Sequence, residues 1–102
     1  MNETINSLMD IDRLIHEPAR LMIMLVLSAA READFLYLLN ATGLTKGNLS
    51  VHLSRLEEAG YIQIDKSFVG KTTRTVCQIT SAGQAALAAY REQMAGIVQS
   101  VG

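Results

Sequence analysis

Apolar residues recur at intervals of three and four along most of the chain, and the interruptions between these runs divide it into elements. Ile5, Leu8, Ile11 and Ile15 carry such spacing and predict an amphipathic helix over about 4–15. Pro18 suits a first helical position, where its missing amide hydrogen would have no partner in any case. The helix it opens, to about Ala30, is apolar nearly all round from Leu21 to Leu27. It is expected to be the central buried helix, with Met22 and Met24 filling the core. Residues 31–33 read as a short break. Asp34 can cap a helix whose Phe35, Leu38 and Leu39 share a face, and Thr42-Gly43 closes it with a left-handed glycine. Thr45 caps the next helix, which runs to about Ala59 and stops at Gly60. Two helices across a short turn predict a helix-turn-helix over about 34–59.

After Gly60 the pattern changes. Tyr61–Lys66 and Arg74–Ile79 hold β-branched and aromatic residues, and Ser67–Lys71 reads as the connection of a hairpin with an exposed tip. Thr80 caps a last helix over about 81–99. The expected fold is α+β, mostly α. It is one domain over 1–102, a helix-turn-helix with a β wing over about 61–79 and a terminal helix on either side.

The helix after Thr45 is unusual on its polar side. With Leu49 at zero and about 100° per residue, Leu53 and Leu56 fall within about 40° of it. Gly47, Ser50, Val51 and Ser54 lie between about 100° and 200°, facing away from the core. A surface helix ordinarily fills that side with long charged side chains. Small neutral groups instead let something large approach closely, and the DNA major groove admits a helix in that way. Lys46 in the first turn and Arg55 on the flank can reach phosphates or bases.

Charge sharpens this picture. The net charge is −1, which by itself disfavours a nucleic-acid partner. Yet 35–56 holds Lys46 and Arg55 with no acid, and 66–80 holds Lys66, Lys71 and Arg74 with no acid. Five of the nine basic residues thus sit in two acid-free segments, and a polyanion responds to the local field. At 102 residues, 49 % hydrophobic and 19 % charged, the chain suits one small core that a partner subunit would help to complete. No run is long enough for a membrane span, no signal peptide is expected, and the single Cys77 forms no internal disulfide. A cytoplasmic setting follows.

The string DFLYLLNATGLTKGNLSVHLSRLEEAGYI, followed by KSFVGKTTRTVCQITSAG, resembles the small winged-helix transcriptional regulators of the MarR/ArsR superfamily over about 14–90. The most telling parts are Leu49-Ser50 with His52-Leu53, Leu56-Glu57 with Gly60-Tyr61-Ile62, and Ile79-Thr80 with Ala82-Gly83. The resemblance implies a homodimer on a roughly palindromic operator, regulating transcription. By position it puts Thr45, Lys46, Gly47, Ser50, Val51 and Ser54 at the groove, with Lys71 and Arg74 in the wing. The Asp-Arg pair of many larger members is replaced here by Lys71-Thr72-Thr73-Arg74. No ligand is implied.

For the dimer, Leu87, Tyr90, Met94, Ile97 and Val101 are spaced three and four apart, a seam along which two helices can pack. Ile5, Leu8, Ile11 and Ile15 can join it across a two-fold axis, or the seam can instead pack on them within one chain. Other chemistries are poorly served. His16, His52 and Cys77 include no metal-binding spacing, so neither metal nor cofactor is expected. His52 is expected to pack or hydrogen-bond on the inner flank of its helix, and Cys77 to fill a strand position. Gly70-Lys71-Thr72 lacks the preceding glycine and following helix of a phosphate loop, and no catalytic motif is present, so no enzyme is expected. Two alternatives stay open: an apolar effector pocket between the terminal helices and the core, and a winged helix used only for protein–protein contact.

Overall fold

The computed structural model describes residues 8–101. Its order is α1 (Pro18–Ala30), β1 (Glu32–Asp34), α2 (Phe35–Thr42), α3 (Lys46–Glu58), β2 (Ile62–Val69), β3 (Thr72–Ile79) and α4 (Ser81–Val101). The strands form an antiparallel sheet in the order β1-β3-β2. Winged-helix architecture is the result, mostly helical with a small sheet at one side.

Caps set most of the boundaries. Pro18 opens α1 behind Glu17, whose carboxylate accepts from the Arg20 amide at 2.7 Å. Asp34 accepts from the Tyr37 amide at 2.8 Å and Thr45 from the Asn48 amide at 3.2 Å, each satisfying a donor that the first helical turn leaves unpaired. Gly43, at φ 69°, ends α2 in the left-handed region. Thr80 receives the Gly83 amide at 3.0 Å and starts α4, which runs on to Val101.

One core joins all of these elements. Ile15, Ile23, Met24, Leu27, Leu38, Leu49, Leu56, Cys77 and Leu87 are fully buried, and Leu53 and Ile62 nearly so. Each large apolar side chain so placed contributes about 1.5–3 kcal/mol. Helix α1 is central, but not apolar all round in effect. Met24 is core, whereas Met22 is exposed and fills nothing.

Three further expectations need correction. Of the first predicted helix, Ile5 and its neighbours lie outside the described residues, and only Leu8 and Met9 of the rest are helical. Asp12 ends it by folding its side chain back: Oδ1 accepts from the amides of Leu14 (2.9 Å) and Ile15 (3.3 Å). Such local bonds compete with a helix. The break at 31–33 holds a strand, with Glu32, Ala33 and Asp34 facing Gln78, Cys77 and Val76. The wing is longer than expected, since Ser67, Phe68 and Val69 stay paired and only Gly70-Lys71 forms the turn. Gly70 at φ 65° supplies the left-handed first position that a two-residue turn needs.

Candidate nucleic-acid interface

Helix α3 presents two unlike sides. Leu49, Leu53 and Leu56 are buried, while Thr45, Lys46, Gly47, Ser50, Val51, Ser54 and Arg55 are all exposed. A Cβ built on Gly47 meets nothing within 4 Å, so this side is open to solvent.

Two side-chain bonds tie α3 to its neighbours, and others order the turn that leads into it and the arginine behind it. Across the short turn, the Thr42 hydroxyl donates to the Leu38 carbonyl at 2.8 Å and accepts from the Leu44 amide at 3.3 Å. Behind the helix, buried Arg20 donates from Nε to the Leu14 carbonyl and from Nη1 to Nδ1 of His52 at 3.1 Å. Arginine can only donate, so Nδ1 of His52 accepts and the ring proton sits on Nε2. His52 thus occupies the inner flank expected of it, tying α3 to α1. At the far end, Oε2 of Glu57 accepts from the Ile64 amide at 3.1 Å and pins β2 against α3.

The wing is anchored at its base. The Tyr61 hydroxyl donates to Oδ2 of Asp12, and the Thr80 hydroxyl donates to the Gly60 carbonyl at 2.6 Å. The bond to Asp12, then burial and the Asp12 charge, push the Tyr61 phenol up to about 12. Burial, helped by Glu57 and Asp65, pushes the Cys77 thiol up to about 11 and keeps it an inert core group.

Toward the tip, Lys71 occupies the turn and Arg74 is exposed on β3, 3.8 Å from the Asp34 carboxylate. The structure therefore sets α3 beside the hairpin that carries Lys71 and Arg74. Sequence reasoning passed over two exposed neighbours, Asn48 and Phe68, and counted exposed Lys66 only toward the basic charge of its segment. Asn48 was legible, since it falls about 20° from Arg55 on the helical wheel. Glu58 is exposed at the end of α3, just past the acid-free stretch.

Of the expected dimer residues, Ile11, Ile15, Leu87, Tyr90 and Ile97 are buried within the single chain. Tyr90 hydrogen-bonds Nδ1 of His16 at 2.8 Å. Met94 is half-buried, and Leu8 and Val101 are exposed. Among the described residues no cluster of His, Cys, Asp or Glu is arranged to hold a metal, and no helix is long and apolar enough to cross a membrane.

A helix whose exposed side carries no acid before Glu57, held beside a hairpin with Lys66, Lys71 and Arg74, defines a winged helix-turn-helix protein. The chain belongs to the winged helix DNA-binding domain family, whose signature matches residues 19–98. It is similar to a transcriptional regulator homologue from Pyrococcus horikoshii, with a TM-score of 0.86, 27 % identity and 97 % of each chain covered. It is also 32 % identical to an uncharacterised protein of Methanocaldococcus jannaschii, over 76 % of this chain and 85 % of that one. Its fold matches the transcriptional repressor CouR, solved bound to a 23-mer DNA duplex, at a TM-score of 0.69 and 20 % identity, covering 89 % of this chain and 66 % of that one. The same fold recurs among MarR-family regulators. The protein is a DNA-binding regulator of transcription rather than an enzyme.

Proposed function

We propose that the protein is a homodimer that binds a pseudo-palindromic operator in double-stranded DNA through α3 and the wing, in the cytoplasm. The observation that carries this reading is the exposed side of α3. Gly47, Ser50, Val51 and Ser54 leave room for a groove wall, and Lys46 and Arg55 flank them. Thr45, Lys46 and Ser50 sit in the first turns, where a recognition helix meets base edges. Lys71 and Arg74 hold phosphates, which position the protein without reading sequence.

Shape supports the dimer. The radius of gyration is 15.4 Å and the principal extents are 58 × 26 × 21 Å. A compact chain of this length would have a radius near 13 Å. Helix α4, with 21 residues, is about 31 Å long, and beyond buried Ile97 its Val98 and Val101 are exposed. Paired through its free surface, two copies would set their α3 helices roughly 34–36 Å apart, one DNA turn.

A salt titration on a duplex selected by the protein from a random-sequence library tests the reading. With about three phosphate contacts per chain, log affinity should fall against log salt with a slope of about −5. A flat response would remove DNA as the partner and favour a protein-interaction module, the role to which the net charge of −1 is better suited.

A further inference from the structure

Beyond Asp34↔Val76 the wing loses its third strand. Four β2–β3 pairs, from Lys66↔Thr75 to Val69↔Thr72, continue as a free two-stranded ribbon. At about 3.4 Å per residue it projects some 14 Å past the sheet. Near its end Phe68 is 76 % exposed, one of only two phenylalanines in the chain. It covers no core, and its cross-strand partner is the exposed Thr73.

Alternation along β2 puts Phe68 on the face that buries Ile62 and, through pairing with Ile64, Cys77. That face packs on the cluster containing Leu56 of α3, so Phe68 projects on the side of the sheet where α3 lies. Lys66 shares this face two residues back and Lys71 sits in the turn, while 66–80 contains no acid. An apolar ring held between cations, on the face of the ribbon opposite the Asp34–Arg74 pair, is complementary to a polyanion that has an apolar interior.

We propose that Phe68 is a wedge that enters the DNA minor groove next to the major-groove segment occupied by α3, favouring flexible pyrimidine–purine steps there. The proposal rests on the DNA-binding reading above. The minor groove, about 6 Å wide, excludes the ribbon but admits one protruding ring. Apolar side chains of this kind partly unstack a base step and kink the duplex, at least cost where stacking is weakest. Lys66 and Lys71 would hold the phosphates on either side. Specificity would then arise at base pairs that α3 never touches.

The chain has no tryptophan, so Phe68→Trp installs a single fluorescent reporter at the tip. The probe is a duplex selected by the wild-type protein from a random-sequence library. Saturating the Phe68→Trp variant with it should quench and shift the indole emission. Phe68→Ser should bind it about ten-fold more weakly with an unchanged salt slope, because stacking rather than charge is lost. Replacing the pyrimidine–purine step under the wing should cost the wild type a similar factor and Phe68→Ser little. Val69→Ser, on the opposite face, should bind as the wild type does. If Phe68→Ser binds like the wild type, or the indole emission of Phe68→Trp stays constant in a saturated complex, the wedge is wrong while DNA binding stands. If the wild type selects no duplex, both fall.

Discussion

Asp34 divides its two carboxylate oxygens between a helix and the wing: Oδ1 caps α2 at the Tyr37 amide, 2.8 Å away, and Oδ2 lies 3.8 Å from Nη2 of Arg74. β1 makes this possible, because Asp34 faces Val76 and Arg74 lies two residues along the same face of β3. The pair is exposed enough to be worth about 0–1 kcal/mol, so a phosphate can displace it. Under the proposed DNA contact of Arg74, Asp34 would compete with a phosphate for the guanidinium. Asp34→Asn keeps a good cap and frees the guanidinium. DNA affinity should rise and the salt slope steepen by about one for each chain whose arginine gains a phosphate. Stability in urea should change little. An unchanged slope would mean that Arg74 meets no phosphate.

The base of the wing is sensitive to size. A Cβ on Gly83 would lie 2.1 Å from the Tyr61 carbonyl oxygen and 2.9 Å from Cγ1 of Ile79. The first obstacle is backbone, itself held by the Thr80 amide at 3.0 Å, and cannot swing aside. Gly83→Ala should cost about 2–3 kcal/mol by overpacking. Gly96, in the same helix with nothing within 4 Å, is the control. Gly96→Ala should stabilise by about 0.5–1 kcal/mol, because alanine leaves less entropy in the unfolded chain. Urea midpoints of the two variants should move in opposite directions.

Much of this arrangement was legible in the sequence, because caps and glycines act locally. Asp34, Gly43, Thr45 and Thr80 mark their helix ends whatever the tertiary context. β1 was not legible, since the three residues Glu-Ala-Asp are too short and too polar to show an apolar alternation. The length of the wing was hidden because Phe68 and Val69 are apolar without being buried. The seam on α4 was ambiguous for another reason. A spacing of three and four records that one face is covered, but not whether by the same chain or by another copy.

Alkali should loosen the base of the wing. The Tyr61 phenol, raised from 10.0 to about 12, and the Cys77 thiol, raised from 9.0 to about 11, are both favoured neutral in the fold. Their stabilisation is complete below pH 9 and is lost as the unfolded chain ionises first. Stability should therefore decline from about pH 9 through 11 as Cys77 is overtaken, and from about pH 10 to 12 as Tyr61 is. Tyr61→Phe loses the bond to Asp12 at every pH but should flatten the upper part of the decline. Cys77→Ala should flatten the lower part. Urea unfolding against pH separates the two, and parallel curves for all three proteins would contradict both assignments.

The dimer can be tested without disturbing the monomer, because α4 carries two adjoining apolar stripes. Leu87, Tyr90 and Ile97 are buried by their own chain. A charge at Met94 or Ile97 would therefore enter the monomer's core or its edge and unfold it rather than dissociate a dimer. Beside them Val98 and Val101 are 63 % and 75 % exposed, three residues apart on one helical face that extends from half-buried Met94. Nothing within the described chain covers this second stripe. Val98→Glu with Val101→Glu places two charges at a pairing surface while leaving the core intact. Sedimentation should turn a dimer into a monomer with unchanged helical circular dichroism, and wild-type stability should rise with protein concentration as that of the variant does not. Binding to a two-half-site duplex should weaken far more than binding to one half-site. A variant that still sediments as a dimer would move the interface away from the end of α4.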